Sequence, residues 1–290
     1  MTKLSAFVRQ RTLQALGTAL CLIFATAAPA ASSANTLEEA KASKSIRIGY
    51  ANEAPYSFMS INGVLNGEAP IVAKAVLARM GITEVEGVLT EFGALIPGLQ
   101  AKRFDIIAAG MYITPARCKQ ILFSEPSYGI GQSLLVKKGN PKQLADYASI
   151  KADKGLKLAV LAGAVETGYA TGAGVDRSQL LILPDQSSLA KSVQSGRADA
   201  AAASAVAINA IAAKAADIEA TKPFGKVSGK SVKGHGGFGF RKEDREFQAE
   251  FNKHLQAYIG SAEHLRAVTP LGFGADYLPD KSTAQLCAGK

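Results

Sequence analysis

A carboxylate, a guanidinium, a hydroxyl and three aromatic rings fall just after strand-like segments of this chain. They are Glu53 and Tyr56 in Asn52-Glu53-Ala54-Pro55-Tyr56, then Phe92, then Tyr112, Thr114 and Arg117. A guanidinium grips a carboxylate through two parallel N–H···O bonds, and ring faces attract a delocalised cation. Each such contact gives roughly 0.5–2 kcal/mol when desolvated. Any one ring taken alone is better explained as core packing. Arriving together with Glu53 and Arg117, the rings read as a site for a small solute that is both a cation and a carboxylate.

Signatures of catalysis are mostly missing. The three histidines, His235, His254 and His264, form no His-Glu-x-x-His pattern, and no Cys-x-x-Cys is present. A metal site therefore has little to stand on, and all three histidines are expected at the surface. There is no Gly-x-Ser-x-Gly elbow and no Gly-x-Gly-x-x-Gly after a strand. The stretch from Gly225 to Ser231 approaches a phosphate loop, but the pattern needs glycine where Phe224 stands. No catalytic residue, metal or cofactor is expected.

The elements that must position these side chains alternate. Ser45 to Tyr50 has the period of a half-buried strand, and Ala69 to Met80 has helical spacing before Gly81. Residues 84–91 read as a strand, 92–101 as a helix, and Phe104 to Ala109 as a short apolar run suited to a buried parallel strand. Strand, helix, strand is the rhythm of βα units on a mainly parallel sheet. The loops after parallel strands share one edge, so the candidate residues should face one cleft. Lys137-Lys138-Gly139-Asn140-Pro141 marks a change of direction, after which the rhythm restarts from Leu156. The Gly-rich stretch Gly225 to Gly239 is read as a linker back, followed by a helix from Arg245 to Tyr258. The expected organisation is one α/β lobe over residues 45–137 plus 236–290 and a second over 141–233, joined by a two-strand hinge.

Lys3, Arg9 and Arg11 precede an apolar run from Leu13 to Ala28 and the small residues from Ala28 to Ala34. That order is a secretory signal peptide over residues 1–30, cleaved after Ala30 or Ala34. At about sixteen residues the run is short for a membrane span of roughly 20. The formal charge of +9 is scattered, not gathered into one basic helix or arm, which argues against nucleic acid as a partner. Cys21 lies within the signal, leaving Cys118 and Cys287. Two cysteines in an oxidising compartment suggest one bridge.

The block Phe104-Asp105-Ile106-Ile107-Ala108-Ala109-Gly110-Met111-Tyr112-Ile113-Thr114-Pro115-Ala116-Arg117, followed by Phe123-Ser124-Glu125-Pro126-Ser127-Tyr128, resembles the type II periplasmic solute-binding proteins of the polar amino-acid class. The resemblance covers nearly the whole chain after the signal. It implies the two-lobed type II fold, a periplasmic location, a monomer, an ABC importer permease as partner, and Thr114 and Arg117 on a ligand carboxylate. Asn52-Glu53-Ala54-Pro55-Tyr56, Gly67-Glu68-Ala69-Pro70 and Leu89-Thr90-Glu91-Phe92-Gly93 narrow the likeness to members that bind ectoine and hydroxyectoine. That likeness implies Tyr56, Phe92 and Tyr112 as a box around the ring cation, with Glu53 on its nitrogen protons. Ser204 stands where amino-acid binders of the class usually carry an aspartate for the α-ammonium. In Gly163-Ala164-Val165-Glu166, Ala164 replaces a common threonine, so backbone N–H groups at Ala164 and Val165 are expected to meet the carboxylate. Two alternatives remain open: a receptor for a basic or betaine-like amino acid, and a periplasmic cyclohexadienyl dehydratase of the same fold.

Overall fold

The computed structural model describes residues 35–289. The expected signal peptide, its cleavage site and Cys21 lie outside the described residues. Two sheets carry the fold. The strands in chain order are β1 (Ser45–Tyr50), β2 (Glu84–Leu89), β3 (Ile106–Tyr112), β4 (Leu122–Phe123), β5 (Tyr128–Ile130) and β6 (Gln132–Lys137). They continue as β7 (Leu158–Leu161), β8 (Leu180–Leu183), β9 (Ala200–Ser204), β10 (Ile218–Ala220) and β11 (Gly234–Phe240). The first sheet has the order β2-β1-β3-β11-β4, with β5 also on β11, and the second runs β8-β7-β9-β6-β10.

Both sheets are mixed, whereas the sequence suggested mainly parallel ones. β2, β1 and β3 are parallel and β11 is antiparallel to its neighbours. β8, β7 and β9 are parallel, while β6 runs antiparallel to both β9 and β10. The antiparallel strands are those that carry the chain between sheets. β6, expected in the first lobe, pairs in the second, so the chain crosses at Gly131 and not at Lys137–Pro141. Gly234–Phe240, read as part of a linker, is the strand that completes the first sheet.

Alternation along the strands explains how each sheet is covered on both faces. In β6, Leu134 and Val136 join one core with Tyr147, Ile150 and Val160, while Leu135 joins the opposite one with Leu189, Val193 and Ile208. In the first sheet, Ile46 and Ile48 pack with Val72, Val76 and Leu77 of the helix Glu68–Arg79 and with Phe247 and Phe251 of the helix Arg245–Tyr258. The other face holds Leu95, Leu99, Phe104 and Ile107. Residues 92–101 divide into a 3₁₀ turn, Phe92–Ala94, and a helix, Leu95–Gln100.

Two histidines are buried, against expectation. His235 on β11 is 1 % exposed, and its Nε2 hydrogen-bonds Asp280. His264 accepts from the Gly260 N–H, packs edge-on against the Tyr258 ring and is 3 % exposed. Cys118 and Cys287 form the expected disulfide, with Cα atoms 5.7 Å apart. Its two ends lie on the short helices Pro115–Cys118 and Thr283–Cys287.

Candidate functional site

The parallel halves of the two sheets direct the C-terminal ends of six strands at one cavity. Glu53 and Tyr56 follow β1, Phe92 follows β2, and Tyr112 ends β3 with Arg117 beyond it; Ala164 to Glu166 follow β7, Gln186 follows β8, and Ser204 ends β9. All of these residues line the cavity, which holds about 530 Å³ of empty space including its open mouth. Strand ends at an edge leave backbone and side chains free to meet a ligand, which is why such clefts bind.

Arg117 is 8 % exposed and sits in the helix Pro115–Cys118. Its Nη1 donates to Tyr112 O at 2.7 Å and its Nη2 to Gly163 O at 2.9 Å, tying the first sheet's edge to the second's. Three of its five N–H donors remain for other partners. The guanidinium lies over the Phe92 ring, 5.5 Å from its centre. Burial lowers its pKa from the usual range, and Glu166 is the foremost of the groups opposing that shift.

Glu53 lines the cavity and is half-buried. Burial first, then the nearby Glu166, pushes its carboxyl up to about 8, with Arg117 pulling the other way. Glu166 is 6 % exposed, and burial raises it to about 7. With the Gln132 amide turned so that its nitrogen faces the carboxyl, that nitrogen donates to Glu166 Oε1 at 2.9 Å and to Ala203 O at 3.2 Å. The cavity thus contains one guanidinium and two carboxyls that hold protons near neutral pH.

The rings are arranged around Tyr128. Tyr56 and Tyr112 lie 5.3 and 6.2 Å from it, centre to centre, and Phe273 lies 5.2 Å away on another side. Two glycines make room for this. Gly110, with φ +64°, would place a Cβ 2.3 Å from the Tyr56 ring, and a Cβ on Gly234 would fall 1.9 Å from the Tyr112 ring. The Tyr56 hydroxyl donates to Ser204 Oγ at 2.8 Å, a second bond between the sheets, and the Tyr128 hydroxyl donates to Gly110 O at 2.7 Å. A third link between the sheets is Gln186 Nε2 to Ala54 O at 2.7 Å.

Of the residues singled out from sequence, Glu53, Tyr56, Phe92, Tyr112, Arg117, Ala164 and Val165 come together on the cavity wall. Thr114 does not. Its hydroxyl caps the helix Pro115–Cys118 by accepting from Arg117 N at 3.3 Å, so it positions Arg117. The Ala164 N–H, expected to face a carboxylate, is already given to Leu161 O at 3.2 Å. Sequence reasoning missed Glu166 and Gln186 as wall residues. Glu166 was in view within Gly163-Ala164-Val165-Glu166, but an acidic residue in a first helical turn ordinarily serves the helix dipole.

The family model for bacterial extracellular solute-binding proteins, family 3, matches residues 46–266. The chain belongs to this family. Among its relatives, a probable amino-acid ABC transporter periplasmic-binding protein of Sinorhizobium fredii is 37% identical over 260 residues, 87% of this chain and 86% of the relative. The lysine/arginine/ornithine-binding periplasmic protein of Escherichia coli is 32% identical over 226 residues, covering 73% of this chain and 81% of that protein. The crystal structure of EhuB in complex with hydroxyectoine superposes with a TM-score of 0.80 at 33% identity, covering 88% of this chain and 98% of EhuB. The two-lobed α/β architecture is that of the family, whose members in these comparisons are transport binding proteins. Among the described residues, no helix is long and apolar enough to cross a membrane, and no group of three or more His, Cys, Asp or Glu could hold a metal ion.

Proposed function

We propose that the chain is a periplasmic receptor that captures ectoine or hydroxyectoine between its lobes and delivers it, as a monomer, to an ABC importer in the inner membrane. The carrying observation is the convergence of Arg117, Glu53 and the rings of Tyr56, Phe92 and Tyr112 on one cavity. Arg117 takes the solute carboxylate, the rings face its delocalised cation, and Glu53 accepts from the ring N–H groups. The cleft closes as the lobes, residues 45–130 with 234–289 and residues 132–233, swing about the two crossings near Gly131 and Lys233. Export uses the signal peptide of residues 1–30. The hydroxyectoine-bound relative supports this assignment.

Glu166 favours one competing reading, a basic amino acid, because a second carboxylate would match a second cation. Charge balance favours the zwitterion. Arg117 with one ionised and one protonated carboxyl is neutral, which suits a zwitterion, and burial raises both carboxyls far enough to retain that proton. Isothermal titration calorimetry with ectoine, hydroxyectoine, arginine and lysine tests the assignment. Binding of the two ectoines alone is expected, and tighter binding of arginine or lysine overturns it.

The rings carry a quantitative expectation. Tyr112→Leu keeps much of the apolar volume but has no π face, so it binds ectoine more weakly than Tyr112→Phe by about 1–2 kcal/mol, roughly five- to thirty-fold. Equal affinity of the two variants in the calorimeter means that the ring only packs.

Proton linkage supplies a second expectation. Glu53 must be ionised to pair with the solute cation, yet in the ligand-free cavity it titrates at about 8. Below pH 7, Glu53 and Glu166 are both largely protonated, so binding releases a proton from Glu53. Affinity therefore rises with pH between about 5.5 and 7, by up to tenfold per unit. Calorimetry in buffers of different ionisation enthalpy reads the released proton directly, and Glu53→Gln removes it.

A further inference from the structure

Three tyrosines meet in the ring cluster, and their hydroxyls are treated differently. Tyr56 donates to Ser204 Oγ and Tyr128 to Gly110 O. The Tyr112 hydroxyl is buried and completes no hydrogen bond of normal geometry, although the Tyr56 hydroxyl is near enough to act on it. Its position is not slack. The ring is wedged against Gly234 and the Tyr112 carbonyl is held by Arg117, so the hydroxyl cannot swing away to find a partner.

Glu166 approaches the same region from the second sheet. The two residues line one cavity, and the Glu166 charge acts on the Tyr112 hydroxyl. One oxygen of Glu166 is met by Gln132. The other carboxyl oxygen adds hydrogen-bonding capacity to the cavity that the Tyr112 hydroxyl also lines. A buried polar group left unmet is unfavourable, so a ligand atom that meets it is bound more tightly than one that does not.

We propose that the Tyr112 hydroxyl and the Glu166 carboxyl form a second polar subsite of the cavity, one that takes a hydroxyl group on the solute. This subsite rests on the zwitterion reading above and deepens it to a preference for the hydroxylated solute. A ligand hydroxyl is at once donor and acceptor, so it can accept from Tyr112 Oη–H while donating to Glu166. An ammonium offers only donors and leaves the Tyr112 proton unmet. A solute bearing neither group leaves both unmet, and sites built to hydrogen-bond a hydroxyl discriminate strongly against analogues that lack it.

The test is calorimetric affinity of the wild type and of Tyr112→Phe for hydroxyectoine and ectoine, read as a ratio. Wild type is expected to prefer hydroxyectoine by at least about tenfold. The ratio is expected to fall to near one in Tyr112→Phe, with a melting curve confirming that the variant is folded. Equal wild-type affinities, or an unchanged ratio in Tyr112→Phe, overturn the subsite and leave the zwitterion reading standing. Failure of either compound to bind wild type overturns that reading and the subsite with it.

Discussion

Arg117→Ala loses binding of the zwitterionic solute by roughly two to nearly four orders of magnitude in calorimetry. The solute carboxylate would enter a water-poor cavity without its cationic partner, and removing one member of a buried ion pair costs about 3–5 kcal/mol. At 1.4 kcal/mol per decade that is roughly a 150- to 5,000-fold loss. Arg117 also donates to Tyr112 O and Gly163 O, so some of the loss comes from the freed edges of the two sheets. Arg117→Lys separates these contributions, because it restores a charge without the two-pronged geometry and should recover only part of the affinity. Near-normal affinity in the alanine variant would refute the assignment of Arg117 to the carboxylate. A purely structural Arg117 predicts a lowered melting temperature with affinity retained.

Removing the disulfide has the largest expected effect on stability. The bridge closes a loop of 169 residues, which the chain-entropy model values at about 4–5 kcal/mol, an upper figure for real bridges. A domain of this size shifts by about 2–4 °C per kcal/mol, so Cys118→Ser with Cys287→Ser should melt some 10 °C lower. Solute affinity should change far less, because neither cysteine lines the cavity and the bridge holds the helix that presents Arg117 from its far end. Alkylation without reductant should find no free thiol in the oxidised protein, and labelling at both cysteines refutes the bridge there.

The alternation of strands and helices was legible because its signal is local. Ser45–Tyr50 and Arg245–Tyr258 have the expected bounds, since a period of two or of 3.6 needs no distant partner to be recognised. The crossing between sheets was misplaced for the opposite reason. Gly, Asn and Pro at residues 139–141 announce the end of β6, but which sheet β6 joins depends on β9, more than sixty residues later in the chain. The Gly-rich β11 was hidden because glycine weakens strands in isolation. Its glycine at 234 is required by the Tyr112 ring, a contact that no local window contains.

The candidate site divides in the same way. Rings and charges after strands of the first sheet could be placed from the βα rhythm, because parallel strands share an edge. Glu166 could not be weighed without knowing that it faces Arg117 across the cavity. Thr114 was placed on the ligand carboxylate by likeness to the family; its capping bond to the helix Pro115–Cys118 depends on the folded backbone and could not be read from the sequence.

The late arrival of β11 bears on how the chain is made. This strand touches β3, β4 and β5 and so joins the otherwise separate pieces of the first sheet, yet it follows every strand of the second. A growing chain that has reached residue 233 possesses all five strands of one sheet and, in the other, the group β2-β1-β3 and two separate strands, β4 and β5, that pair only with β11. The lobe that begins last is therefore the first able to finish, and the N-terminal half of the polypeptide waits, unsealed, for its C-terminal quarter.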